Sequence, residues 1–176
     1  ARERCDPRIE IETLQSMSNH HGEFDFVYSI FDVLSYQTKP QEAVDFVRGL
    51  ASFCKVGGLV LFDCWHLPGL HLDKPVDRHA TFFDPLSGQE WERFSKVSVD
   101  WLHGVTTVDY SLTTKSSDQH VLETETHVMR AFTSLELELL AELAGLVVLD
   151  LLEAPDFSRP AADRDWHVSA VCRREA

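Results

Sequence analysis

Positive charge is scarce in this chain. Lysine and arginine total 16 against 29 acids in 176 residues, a formal net charge of −13. So acidic a surface repels polyanions, which argues against nucleic acid and anionic membrane as partners. Long apolar runs are lacking too. None approaches the roughly 20 residues that cross a bilayer, and the opening ARERCDPR has no apolar signal core. Cys5, Cys54, Cys64 and Cys172 are widely spaced and make no C-x-x-C pair. Zinc or dithiol chemistry is therefore not indicated, and reduced thiols in a cytoplasm are the plainer expectation. Eight glycines and seven prolines leave no low-complexity stretch, and no internal repeat is visible. The nine histidines contain no H-E-x-x-H or comparable close pair, so no metal site is expected. No G-x-S-x-G elbow is present, and Gly57-Gly58 stands outside any G-x-G-x-x-G phosphate loop.

What is present suits one compact domain. Apolar residues make up 44% of the chain, enough for a sizeable core at this length. ARERC can form the last turn of a helix, and Arg8 to Leu14 alternates modestly enough for a strand. Phe24 to Ile30 is apolar and β-rich, the pattern of a strand buried on both faces. Thr38 with Gln41 three residues on reads as a capping box. Ala43, Phe46, Val47, Leu50, Ala51 and Cys54 then form one apolar helical stripe. Gly57 and Gly58 are read as the helix stop, and Leu59 to Trp65 as a second buried strand. Strand, amphipathic helix and strand make a βαβ unit, hence a parallel sheet with a right-handed crossover.

Leu67 to Leu86 reads as loop. Trp91 to Trp101, Val105 to Thr114 and Val121 to Arg130 are β-rich and separated by short turn signals, so an antiparallel meander is predicted. TSLE at Thr133 to Glu136 is a second capping box, opening a leucine-rich helix that ends at Gly145. Leu146 to Leu152 and Trp166 to Arg173 are the final strands, joined by a proline-bearing loop. Trp91, Phe94, Trp101 and Tyr110 are read as packing residues, on the sheet or at a subunit interface.

Four segments in this order carry a family resemblance: FDFVYSIFDVLSY, FCKVGGLVLFDCWH, HVMRAFTSLELELLAELAGL and DWHVSAVCRR. Together they resemble the latter part of a class I S-adenosylmethionine-dependent methyltransferase, most similar to the small-molecule type that includes amino-sugar N-methyltransferases. The resemblance implies an α/β fold: a partial Rossmann-like sheet, its first two strands absent, carrying an antiparallel three-stranded insertion within residues 67–130. It implies S-adenosylmethionine as cofactor and a small-molecule nitrogen or oxygen as methyl acceptor. The family's glycine-rich G-x-G-x-G loop and ribose-binding acid would lie before Ala1, and its adenine-contacting pair would fall on Ser16-Met17. The chain alone is therefore expected to bind the cofactor weakly or not at all. A non-catalytic, methyltransferase-like role in assembly or partner binding is the alternative. Without the first two strands, Phe24 to Ile30 becomes an apolar edge, and homo-oligomerisation through it, or rearrangement of the first segment to cover it, is expected.

Open α/β sheets bind ligands at the carboxyl ends of their strands. Ser29 and Phe31 are thereby candidate cofactor contacts, and Asp32 and Tyr36 candidate acceptor contacts, against the plainer reading of a polar strand-to-helix loop. His66, beside Trp65 at the end of the next strand, is the first candidate base, since an imidazole with pKa near 6.5 suits neutral pH. Its bland alternative is a surface histidine opening a loop. Tyr36 is the second candidate base. Arg130 can hold a carboxylate or phosphate by paired hydrogen bonds, or pair with one of the chain's own acids. His127 is a candidate acceptor contact, or a solvated residue between Glu123 and Glu125.

Overall fold

The computed structural model describes residues 20–85, 88–114 and 121–176. The expected strand at Arg8 to Leu14 and the Ser16-Met17 pair lie outside them. Among the described residues, two four-stranded sheets make up the fold. The first has the order β1-β2-β8-β7, built from β1 (Phe24–Ser29), β2 (Cys54–Trp65), β7 (Leu146–Glu153) and β8 (His167–Arg174). β1 and β2 run parallel, as the βαβ pattern requires, while β8 lies antiparallel between β2 and β7. The second sheet is the meander β3 (Arg78–Asp84), β4 (Gln89–Asp100), β5 (Val105–Thr114) and β6 (Val121–Arg130), antiparallel throughout.

The core lies on one face of the first sheet. Helices α1 (Pro40–Phe53) and α3 (Ser134–Leu143) cover it there. Ala43, Val47 and Ala51 of α1 meet Val60, Phe62 and Cys64 of β2, Leu137 and Ala141 of α3, and Val168, Ala170 and Cys172 of β8. These positions follow the helical and alternating periods of the sequence. The TSLE box forms as read: Thr133 Oγ1 accepts from the Glu136 N–H, and Glu136 Oε2 accepts from the Thr133 N–H.

Five expectations are corrected. β1 is not buried on both faces: Phe26 is 50% and Tyr28 60% exposed, because among the described residues helices pack only on the opposite side. The insertion has four strands rather than three, since Arg78–Asp84 pairs along its whole length with β4. Within the predicted loop, Leu67–Leu72 forms a short helix, α2, with proline in its first turn. The capping position of α1 is Lys39 rather than Thr38. Pro40 sits at the helix start, and the Glu42 carboxylate accepts from both the Lys39 N–H and its ammonium. Gly57 and Gly58 do not stop the helix, which ends at Phe53. They lie inside β2, where a side chain on Gly58 would come within 2.8 Å of the Asp25 carbonyl oxygen. There the strand shifts register against β1.

The seam between the sheets is backbone. The Phe132 N–H donates to the Trp65 carbonyl at 2.9 Å, and the Leu67 N–H to the Phe132 carbonyl at 2.9 Å. This joins the end of β6 to the end of β2, so both sheets open onto the carboxyl ends of the parallel strands.

Candidate functional site

Beyond β1 the chain turns sharply. Phe31 and Asp32 both adopt left-handed backbone, with φ of 70° and 59°, a region that non-glycine residues seldom occupy. One side chain holds them there. The Asp63 carboxylate accepts the Phe31 N–H at 2.9 Å and the Asp32 N–H at 2.8 Å. Burial pushes the Asp63 pKa up, and the two backbone donors pull it partly back. The turn leaves the Phe31 ring 84% exposed. Asp32 reaches across to β8, its Oδ1 3.1 Å from His167 Nδ1. A 3-10 turn, Val33–Tyr36, follows, anchored by the fully buried Leu34 and Ser35. Ser35 Oγ accepts the Trp65 N–H at 2.9 Å, tying this turn to the end of β2.

Tyr36, at the end of that turn, meets the second sheet. Its hydroxyl lies 2.6 Å from His127 Nδ1 on β6, and His127 Nε2 lies 3.2 Å from Glu125 Oε2. The edge of one ring meets the face of the other between Tyr110 and His127, 5.3 Å apart, and the Arg93 guanidinium stands over Tyr110. Two adjoining clefts open here. One, of about 370 Å³, runs between the sheets and is lined by Trp65, Trp166 and His167 on one side and Arg78, Arg93 and Tyr110 on the other. The second, of about 360 Å³, shares Arg93 and Tyr110 and ends at Glu125 and His127. The Trp166 indole N–H is buried and has no partner among the described residues.

The structure thus brings Asp32, Tyr36, Trp65 and His127 to one region, with Ser29 and Phe31 beside it at the strand end. His66 and Arg130 are placed elsewhere. His66 is 2% exposed; its Nδ1 lies 3.0 Å from the Asp165 carbonyl and its Nε2 3.4 Å from Ser134 Oγ. Arg130 donates to Glu136 at 2.5 Å and lies over the Phe132 ring, so of its two expected roles it takes the pairing with an acid of the chain. The sequence reading did not single out Asp63, His167, Glu125, Arg78, Arg93 or Trp166. A signal existed for two of them: Asp63 is an acid inside an apolar strand, and His167 opens another. Among the described residues no cluster of three or more potential ligands suits a metal ion. No helix among them is long and apolar enough to cross a membrane.

Two histidines, the buried His66 and the half-buried His167, titrate in opposite senses. Burial lowers the His66 pKa from its ordinary 6.5. The bond to Asp32 raises that of His167 against an opposing effect of burial. A raised histidine stabilises the fold fully below 6.5 and loses that contribution as pH climbs through its folded value. A lowered one stabilises fully above 6.5 and loses it as pH falls through its folded value. Together they give a stability maximum near pH 6.5. In urea unfolding across pH 5 to 9, His167→Gln is expected to flatten the alkaline limb and His66→Gln the acid limb. The assignment fails if both variants keep the parent's slopes.

No family model matches the chain, and no curated protein matches it. Solved structures do. An S-adenosylmethionine-dependent methyltransferase from Clostridium acetobutylicum is 13% identical, with a TM-score of 0.76 over 99% of this chain and 68% of its own. The CcbJ methyltransferase from Streptomyces caelestis is 19% identical, with a TM-score of 0.66 over 87% of this chain and 58% of its own. The sugar N-methyltransferase KedS8 from a Streptoalloteichus species is 21% identical, with a TM-score of 0.67 over 86% of this chain and 57% of its own. The chain therefore spans less than two thirds of the latter two. At these identities the likeness is one of architecture, and the architecture is that of the S-adenosylmethionine-dependent methyltransferases.

Proposed function

We propose that this fold serves methyl transfer from S-adenosylmethionine to a nitrogen or oxygen of a small acceptor in a cytoplasm, the chain supplying the acceptor side of the site. One observation carries the reading. On a methyltransferase fold, the cleft between the sheets opens at the carboxyl ends of the parallel strands, with Asp32, Trp65, Tyr36 and His127 around it. The described residues fit one side of the cofactor. Ser29 and the exposed Phe31, on a turn fixed by Asp63, would hold it, with Ser16 and Met17 as further contacts by resemblance. When bound, the cofactor supplies an electrophilic methyl group. Transfer needs an in-line approach by the acceptor, so positioning contributes most. Arg78, Arg93 and the unpartnered Trp166 N–H line the cleft and suit an acceptor that carries an anionic group. His66, enclosed at Asp165 and Ser134, yields the role of base to Tyr36.

A second reading rests on a different observation. Among the described residues β1 pairs only with β2, and its Phe26 and Tyr28 rings stack, exposed, 5.5 Å apart. Such an edge favours assembly of copies through β1, with or without catalysis. Calorimetric titration of S-adenosylhomocysteine into the purified chain, with its mass in solution measured alongside, tests both. Weak or undetectable binding in an oligomer is expected. Micromolar binding by a monomer would overturn both the dependence on an outside cofactor loop and the assembly.

A further inference from the structure

We propose that Tyr36, His127 and Glu125 form a proton relay in which the imidazole, not the phenol, is the final acceptor of the proton lost by the methyl acceptor. The inference rests on the methyl-transfer reading and adds to it the route the proton takes.

The two contacts admit one neutral arrangement. A carboxylate can only accept, so the 3.2 Å contact to Glu125 Oε2 places a hydrogen on His127 Nε2. The neutral ring then presents a lone pair at Nδ1, and the Tyr36 hydroxyl, 2.6 Å away, donates to it. Tyr36 holds its proton firmly there. Desolvation raises its pKa, and Tyr110, Asp32 and Glu125 add to the effect. A phenol so disposed is a poor base acting alone, which would seem to exclude it. In the relay it is never deprotonated on balance. The acceptor's N–H or O–H bond breaks as a new O–H bond forms on the Tyr36 oxygen. The original Tyr36 proton passes to Nδ1, and the acceptor's own lone pair would make the bond to the methyl carbon as the methyl–sulfur bond breaks, its electron pair going to the sulfur. The imidazolium then donates from Nδ1 to Tyr36 and from Nε2 to Glu125, so the same contacts serve both states with their direction reversed at Tyr36.

The surroundings suit the charge that develops. Glu125 bears the opposing charge and the edge-to-face Tyr110 ring lies 5.3 Å away. Glu123 and Arg93 line the same cleft, while Asp32 approaches from the turn that carries Tyr36. Glu125 acts through His127, so it is a positioning residue, whereas Tyr36 touches the acceptor.

Nuclear magnetic resonance on the chain labelled at histidine nitrogens and tyrosine Cζ tests the relay without cofactor. The neutral His127 ring is expected as the Nε2–H tautomer, and the Tyr36 Cζ resonance is expected to move in His127→Gln. An Nδ1–H tautomer, or a Tyr36 resonance indifferent to His127, overturns the relay even if the methyl-transfer reading stands. Conversely, failure of cofactor binding leaves these signals untouched. In methyl-transfer assays of the protein in its active form, His127→Gln, which keeps an acceptor for the Tyr36 hydroxyl but cannot take a proton, is expected to lower kcat about 10²-fold at constant KM. Tyr36→Phe should match it, and Glu125→Gln should lose less. Unchanged kcat in the first two overturns the proposal.

Discussion

Replacing Phe132 by alanine is expected to cost about 3–5 kcal/mol of folding stability, the range for emptying a buried aromatic site. Phe132 is 1% exposed and belongs to the main core, yet it lies outside both sheets. Its ring supports the Arg130 guanidinium, 4.8 Å away, and its backbone joins the ends of β2 and β6. The truncation therefore acts twice: it opens a cavity in the core and loosens the seam that holds the meander against the first sheet. His127 lies on β6, five residues before Phe132, so Phe132→Ala should also separate it from Tyr36. Urea unfolding reads the first effect, and the Tyr36 hydroxyl's exchange with solvent reads the second. Leu102→Ala is the control, because Leu102 is 86% exposed and exposed positions move stability by less than about 0.5 kcal/mol. A loss at Phe132 no larger than that control would mean that the ring does not bear on the core.

How far the sequence discloses this fold depends on the range of each contact. Of the predicted stripe, Ala43, Val47, Ala51 and Cys54 are fully or almost fully buried, while Phe46 and Leu50 pack partly buried against the same core, since a period of 3.6 is written locally and needs only a sheet to pack on. The Thr133–Glu136 box is local too, and it forms as read. β3 escaped because its proline-rich approach and its charges outweigh seven residues of weak alternation, and only pairing with β4 makes it a strand. The exposed face of β1 escaped for a related reason. Apolar composition states what a strand would bury, not whether a neighbour is there to cover it.

The site was legible in its parts but not in its connections. Asp32, Tyr36 and Trp65 follow from the rule for carboxyl strand ends. The partners that define their chemistry lie far along the chain: His127 is 91 residues from Tyr36, and His167 is 135 from Asp32. Sheet order sets those distances, through β8 inserted between β2 and β7. His66 shows the converse. Its position at a strand end suggested a base, yet α2 starts directly after it and the ring is buried against the Asp165 carbonyl and Ser134.

Gly69→Ala is expected to be among the most damaging single-methyl additions to this chain, at about 3 kcal/mol or more, the upper end of overpacking. A Cβ there would lie 2.0 Å from the Asp165 carbonyl oxygen and 2.9 Å from the Trp166 nitrogen. Those atoms are backbone, so no side-chain rotation relieves the clash. They are also pinned. The Asp165 carbonyl is in contact with His66 Nδ1, and its carboxylate, 7% exposed, accepts both Arg159 nitrogens and the Ala162 N–H. Pairing with Arg159 brings the Asp165 carboxyl to a pKa of about 2, so this anchor holds until pH falls from 3.8 towards that value. With the anchor fixed, the added methyl must push α2 away from the start of β8, where Trp166 and His167 line the cleft. Gly49→Ala supplies the contrast. It lies within α1 with nothing inside 4 Å of the new atom, and alanine there should stabilise by about 0.5–1 kcal/mol. Opposite signs for the same chemical change would show that backbone approach, not glycine content, sets the tolerance. A mild effect at Gly69 would mean that α2 is free to move off β8, and the enclosure of His66 would fall with it.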